Sequence, residues 1–338
     1  MPFFRRRSDI RGGVIGYGGA FGMGHHHVQQ MRGAGIEPIA VADTDPERLS
    51  MAERVIPEIE RYSSVADMLR RSEANLVVIV TPHNTHAKLA IQCMRAGRHV
   101  ITEKPFAITT GECDRMIAEA KKRRVMLSTY HNRHWDSTPL DAVKQVRRGA
   151  IGRVISVELN RCHYGPPGNT WRGSKSISGG ILYDWGAHFL EWRLQLIDSP
   201  IAEVTGFATR GFWAARSKWK NDTVEDEAHA IVRFKSGQRL SLCISQISVD
   251  PTSNFVVKGT KGNYVAGKIM RQKGNQTIIS THRLPPRCPE RYYRNVVAHL
   301  TRGTPLIITP QWARRPIHII DLANRSARLG RSLKARHG

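Results

Sequence analysis

Residues 75–82 read Asn-Leu-Val-Val-Ile-Val-Thr-Pro, and this run constrains the fold more than any other stretch of the chain. A strand with one face in water alternates apolar and polar residues. An unbroken Val/Ile series instead suits a parallel strand buried on both faces, with helices packed above and below it. The flanking sequence supplies those helices. HNTHAKLAIQCMRAG reads as a helix capped by Gly97, and HVITEKP, 99–105, as a further strand. Upstream, Gly13-Val14-Ile15-Gly16 ends an apolar strand, a helical segment runs from about His25 to Gly33, and IEPIAVADTD, 36–45, is another strand ending at Asp43. Strand, helix, strand at this rhythm predicts an α/β domain with a doubly wound parallel sheet over residues 1–130. The ligand crevice of such a sheet lies at the carboxyl ends of its strands, where Thr81, Pro82, Glu103 and Lys104 fall.

Between the first strand and first helix stands GYGGAFGMG, residues 16–24. Glycines there let backbone approach a pyrophosphate whose charge sits on the helix amino terminus, which makes Gly16, Gly18, Gly19, Ala20 and Phe21 candidate cofactor contacts. The pattern departs from GxGxxG, since position 21 is Phe and glycines follow at 22 and 24, and a glycine-rich turn also arises for steric reasons alone. Asp43 strengthens the dinucleotide reading: a carboxylate there accepts ribose hydroxyls and repels a 2′-phosphate. NAD is therefore the expected cofactor, with Arg48 leaving NADP open. Asp45, before Pro46, suits a helix amino cap better than Asp43 does. His83 and His86 flank the crevice, as lining residues or in a capping or surface role. His25, His26 and His27 point about 100° apart on a helix, cannot grip one ion, and read as packing beside the cofactor loop.

From 131 the pattern changes. A helix ends at Gly149, and VISVELNRC, VTGFATRGFWA, EDEAHAIVRFKSG, RLSLCISQIS, SNFVVKGTKG and NYVAGKI follow as short strands before a closing helix in PQWARRPIHIIDLANRSARLG. Strands without intervening helices predict an α+β domain over 131–338 built on an open, mostly antiparallel sheet. The charge sits here: of a net +24, residues 1–130 carry +5 and 131–338 carry +19. The arginines are dispersed and no nucleic-acid motif accompanies them, so specific nucleic-acid binding is not expected; the excess reads as a solvated cationic surface or as one that attracts an anionic substrate. Five scattered cysteines without CxxC spacing argue against a disulfide framework or a structural zinc. The basic start lacks the apolar middle of a secretory signal and no run is long enough to span a membrane, so the expectation is a cytoplasmic protein.

GGILYDWGAHFLEW, 179–192, places Asp184 and His188 four residues apart, on one face if the stretch is helical. That pair is a proton-handling device, two ligands of a metal, or a surface pair. No third and fourth ligand lie at helpful spacing, so no metal is expected. Lys104, between an acid and a proline at a strand end, is placed for partial desolvation, which suits a lysine to proton transfer or carbonyl polarisation.

VADTDPERL (41–49), TPHNTHAKLA (81–90), AGRHVITEKPFAITTGE (96–112), GAIGRVISVEL (149–159), WRGSKSISGGILYDWGAH (171–188), KGTKGNYV (258–265) and SARLGRSLK (326–334) occur in the order of the glucose-fructose oxidoreductase/inositol dehydrogenase/MocA family. The chain resembles that family over nearly its whole length, most specifically in AGxHVxxEKP and GGxxxDxGxH. The resemblance implies an NAD-dependent oxidoreductase acting on a secondary alcohol or ketone of a sugar, cyclitol or sugar derivative, and a homodimer or homotetramer formed through the second sheet. It implies Lys104, Asp184 and His188 as catalytic residues: His188 as general base, Asp184 holding the imidazole, Lys104 bonding the reacting oxygen. It also implies substrate contacts from Asn132, Arg133, His163, Trp171 and Arg172. The same residues would serve a glycosidase that oxidises its substrate transiently. A cofactor-binding sensor without turnover would share the fold but has no need of all three catalytic residues. Two positions depart from the family's habit: His134, where a second arginine or an aromatic residue is frequent, and Glu191, where aspartate is common.

Overall fold

The computed structural model describes residues 3–18, 21–250 and 254–335. The chain divides into two compact units, residues 1–132 with 290–314, and residues 133–289 with 315–338.

The first unit alternates strand and helix: β1 (Arg11–Ile15), α1 (Met23–Gly33), β2 (Glu37–Ala42), α2 (Pro46–Val55), β3 (Glu60–Tyr62), α3 (Val65–Arg71), β4 (Leu76–Ile79), α4 (His86–Arg95), β5 (His99–Thr102), α5 (Thr110–Arg123) and β6 (Leu127–Thr129). All six strands are parallel, in the order β3-β2-β1-β4-β5-β6. This is the order of a doubly wound dinucleotide-binding sheet, whose direction of winding reverses between β1 and β4. β4 is wholly buried, as its Val/Ile series requires. Helix starts are fixed locally. Asp45 caps α2 by accepting the Glu47 N–H, with Pro46 at the first helical position; Ser64 caps α3; Thr109 and Glu112 form a reciprocal capping box on α5. The strands β3 and β6, three residues each at the sheet edges, are too short to leave a periodic signal in sequence.

In the second unit α6 (Ser137–Arg147) precedes β7 (Val154–Cys162), and α7 (Lys175–Ser178) and α8 (Ala187–Arg193) precede β8 (Ile201–Thr209). Then come β9 (Glu227–Phe234), β10 (Arg239–Ser245), β11 (Phe255–Gly259), β12 (Gly262–Val265), β13 (Lys268–Lys273) and β14 (Gln276–Thr281). With β15 (Leu333–Lys334) they form a nine-stranded sheet ordered β14-β13-β12-β11-β7-β10-β9-β8-β15. Its pairs are antiparallel except β7 with β10. One face of the sheet is core: Ala228, Ala230, Val232 and Phe234 of β9 and Leu240, Leu242 and Ile244 of β10 are all buried, alternating with partly exposed neighbours.

The boundary at residue 130 needs correcting. Helix α9 (Arg291–Arg302), absent from the sequence reading, belongs to the first unit and buries Tyr292, Tyr293, Val296, Ala298 and Leu300 at helical spacing. Tyr292 donates its hydroxyl hydrogen to Ser128 Oγ at 2.9 Å, and Ser128 donates to the Ile308 carbonyl at 2.8 Å, tying the segment to β6. The closing helix α10 (Pro310–Leu329) carries the chain across the last boundary between units, 314/315. No helix among the described residues is long and apolar enough to cross a membrane.

Candidate functional site

The loop after β1 and the end of β2 meet at the reversal of the first sheet. Gly16 has φ +86°, in the left-handed region, and a β-carbon there would stand 2.7 Å from the Val80 carbonyl oxygen at the end of β4. At Gly24 a β-carbon would meet the Tyr17 carbonyl oxygen at 2.3 Å, so the first turn of α1 packs directly on the loop. That turn has no side-chain cap, which leaves its backbone N–H groups for an anion. Asp43 is 9% exposed; its carboxylate accepts the Tyr17 N–H at 2.8 Å and the Asp45 N–H at 3.0 Å. Each oxygen keeps a lone pair for a ribose hydroxyl. Arg48 forms an ion pair with Asp45 at 3.0 Å and lies along Gly18. These residues fit NAD: a glycine-lined helix amino terminus for the pyrophosphate and a carboxylate for the adenosine ribose. Phe21 is exposed, 60%, at the turn into α1; Gly19 and Ala20 lie outside the described residues.

At the end of β4 Thr81 shares a hydroxyl hydrogen bond of 2.6 Å with Thr85, and Pro82 precedes a short 3-10 turn, His83–Thr85. His83 is buried. His86 does not line the crevice. Fully buried, it spends one ring nitrogen on the Pro105 carbonyl at 2.8 Å and the other on the Thr81 carbonyl at 2.9 Å. Burial pulls its pKa down while the two carbonyls push it up. It braces the Thr81 end against the Lys104–Pro105 bond and has no ring nitrogen left for a cofactor.

Glu103 and Lys104 follow β5. Lys104 is 9% exposed. Glu103 accepts the Lys104 N–H at 2.9 Å and faces His27 Nε2 at 3.1 Å. Burial raises the Glu103 pKa, but the His27 hydrogen bond, the charge of Lys104 and the Lys104 N–H outweigh it and hold the carboxyl below its usual range. His27, fully buried, reaches the Tyr293 hydroxyl through Nδ1 at 2.7 Å, and His26 reaches the Tyr130 hydroxyl at 2.9 Å. The histidine run is thus packing, as expected, and His27 is also the polar link behind the EKP lysine.

In the second unit the stretch with Asp184 and His188 is not a plain α-helix. Leu182–Gly186 is a π-turn that passes into α8, so 184 and 188 sit on a widened turn whose hydrogen bonds reach five residues rather than four. Glu225, 4% exposed on its side chain, holds the entry to this turn: it pairs with Lys175 and accepts the Ile181 N–H at 3.0 Å. Burial alone would raise the Glu225 pKa; Lys175 more than offsets that. Asp184 pairs with Arg172 Nε at 3.2 Å, and Arg172 lies 4.8 Å from the Trp171 ring centre. His188 is 8% exposed, with the Trp185 ring 6.1 Å away.

Trp185 collects two guanidinium groups, Arg161 at 3.9 Å and Arg133 at 4.8 Å from its ring centre. Arg161 was not anticipated, yet it left a signal, since it continues the inward series Val157, Leu159 of β7 at a position where a charge needs a reason. Burial lowers its pKa and Asp184 opposes that. Arg133 also pairs with Asp136 at 3.0 Å, as does Arg287 at 2.6 Å. Asn132 and Arg133 open a 3-10 turn, Asn132–Trp135. His163, just past β7, is exposed and its backbone N–H donates to the Ser245 carbonyl at 3.0 Å. His134 and Glu191, the two departures from family habit, prove to be partners, His134 Nδ1 lying 2.6 Å from Glu191 Oε1.

Residues 10–131 match an oxidoreductase family described by its NAD-binding Rossmann fold, and residues 140–265 match the GFO/IDH/MocA C-terminal domain. An uncharacterized oxidoreductase of Schizosaccharomyces pombe is 29% identical, over 64% of this chain and 58% of its own length. The scyllo-inositol 2-dehydrogenase (NADP(+)) IolW of Bacillus subtilis is 23% identical over 98% of both chains. Among solved structures, the WlbA dehydrogenase of Bordetella pertussis, in complex with NADH and UDP-GlcNAcA, superposes with a TM-score of 0.80 at 24% identity, over 97% of this chain and 99% of that one.

Proposed function

The chain belongs to the GFO/IDH/MocA family of oxidoreductases, and from that premise we propose that it transfers hydride between NAD and a secondary alcohol or ketone of a sugar or cyclitol. The observation that carries the reading is Asp43: a nearly buried carboxylate at the end of β2, held on the glycine loop by the Tyr17 N–H, where an adenosine ribose would bind. NAD, when bound, supplies the hydride acceptor or donor. A secondary alcohol gives up hydride readily only if its hydroxyl proton leaves as well, and His188 is the base for that proton. Asp184 carries the negative charge that balances an imidazolium, and Lys104 donates a hydrogen bond to the reacting oxygen.

The substrate in this reading carries an anionic group. Arg133 and Arg287 pair with Asp136 and Arg172 pairs with Asp184, while Arg161 stacks on Trp185, a concentration of guanidinium groups that would suit an anionic group on the substrate. Carboxylated, phosphorylated or nucleotide-linked sugars meet that demand, and the dehydrogenase crystallised with NADH and UDP-GlcNAcA makes the last class a natural first choice. Assembly as a homodimer or homotetramer through the outward face of the nine-stranded sheet also belongs to the proposal. Phe207 and Ile231 stand exposed there, at 56% and 41%, and light scattering of the purified protein reads the state directly.

The test is titration of the full-length protein with NAD⁺ and NADH, followed by neutral and anionic sugars with absorbance read at the NADH band. A growing band on one sugar establishes the dehydrogenase. NAD binding without any net NADH across the panel overturns it in favour of transient oxidation or sensing. Lys104→Met should keep NAD affinity and lose about 10²–10⁴-fold in kcat.

A further inference from the structure

A cluster on the outward face of the nine-stranded sheet takes no part in the chemistry above. In the antiparallel pair β9/β10, His229 stands opposite Cys243 and Glu227 opposite Ser245. In the parallel pair β10/β7, Ser245 stands beside Cys162. Strand alternation therefore sets Glu227, His229, Cys243 and Cys162 on one face, opposite the buried Ala228, Ala230, Leu242 and Ile244. One side-chain donor atom from each of Glu227, His229 and Cys243 lies within 4.8 Å of the other two. His229 Nε2 is 3.0 Å from Glu227 Oε1 and 3.7 Å from Cys243 Sγ, and the Cys162 thiol adjoins that of Cys243.

We propose that this cluster binds one divalent transition-metal ion of the zinc class, with Glu227, His229 and Cys243 as ligands and Cys162 as the fourth donor. Around a tetrahedral zinc, with bonds of about 2.0 Å to N and O and about 2.3 Å to S, ligand atoms stand roughly 3.3–3.8 Å apart. The spacings of 3.0 and 3.7 Å lie near that range, so side-chain rotation is enough to close the set. Thiolate and imidazole donors beside a single carboxylate favour zinc, cobalt(II) or nickel(II) over magnesium or calcium, which prefer all-oxygen sites. The three strands are hydrogen-bonded neighbours, so the donors are fixed by the sheet and not by a loop. The edge of the Phe207 ring packs at 6.4 Å on His229 and supplies an apolar wall.

The experiment is a cobalt(II) titration of reduced, chelator-stripped, full-length protein, with the fold checked by circular dichroism. One equivalent should bind with a thiolate-to-cobalt charge-transfer band, which zinc then bleaches. Cys243→Ser should weaken the band and the double variant Cys162→Ser/Cys243→Ser should abolish it, His229→Asn should weaken cobalt binding at least tenfold, and Cys288→Ser, on the loop after β14, should leave it intact. A folded wild-type protein that gives no band, a band left unchanged by Cys243→Ser, or a band that survives the double variant, overturns the proposal. So does a Cys162–Cys243 disulfide whose reduction yields no cobalt uptake. Hydride-transfer activity does not enter any of these readouts.

Discussion

His27 Nε2 and Glu103 Oε1 stand 3.1 Å apart, joining the first helix after the glycine loop to the residue just before Lys104. The carboxylate accepts, so Nε2 carries the hydrogen and Nδ1 accepts from Tyr293, whose hydroxyl burial keeps protonated. His27→Phe would leave a nearly buried carboxylate and a buried hydroxyl without this partner. We expect a loss of about 2–4 kcal/mol in urea unfolding, and Glu103→Gln in the same background should recover part of it by removing the charge.

Cofactor choice should turn on Asp43. Asp43→Ser keeps an acceptor for the Tyr17 N–H but removes the negative charge, so NAD⁺ affinity should fall about tenfold while NADP⁺ affinity holds or rises, with Arg48 nearby to meet the 2′-phosphate. Fluorescence titration with both nucleotides measures the ratio. An unchanged ratio would remove Asp43 from ribose recognition.

Substrate charge should be read by Arg161. Because it stacks on Trp185 within reach of the Asp184 field, Arg161→Gln should raise KM for an anionic sugar about tenfold and leave neutral sugars within about twofold. Raising salt should shrink the difference between the two substrates in the wild type and have less effect in the variant.

Acid sensitivity should come in part from His99. Burial, helped by His299, lowers its pKa to about 4, and its Nδ1 accepts the Met126 N–H at 2.9 Å, which a protonated ring could not do. Between the ordinary histidine value near 6.5 and about 4 the unfolded chain binds a proton that the folded one refuses. Stability therefore falls as pH drops through that window and levels off below it, by about 3 kcal/mol in all. His99→Asn keeps an acceptor and cannot titrate there, so its Tm should fall less than that of the wild type between pH 6.5 and 4.

The first sheet was legible because β4 and the segments around it carry their burial in composition, and because Asp45, Thr109 and Glu112 cap helices through neighbours in sequence. Asp43, Lys104 and Asp184 could be singled out for the same local reasons. What stayed hidden depends on distant pairing. The His27–Glu103 bond spans 76 positions and the Lys175–Glu225 pair 50, and neither spacing has meaning before the fold is known. His134 and Glu191 each looked like an isolated oddity until they proved to touch. The cluster of Cys162, Glu227, His229 and Cys243 depends on strand register, which no CxxC-style spacing records. The π-turn at 182–186 leaves no mark in the sequence because a single inserted residue barely disturbs apolar periodicity.

The return of residues 290–314 to the first unit has a consequence for how the protein is made. Tyr292 and Tyr293 complete that unit's interior, yet the ribosome delivers them some 160 residues after Asn132. The nascent β-sheet must wait with Ser128, Tyr130 and His27 uncovered while the whole intervening unit is synthesised. Vectorial folding of the amino-terminal part is therefore incomplete by design of the chain order. A polypeptide released at Asn132 should be a client for chaperones and not an independent nucleotide-binding module.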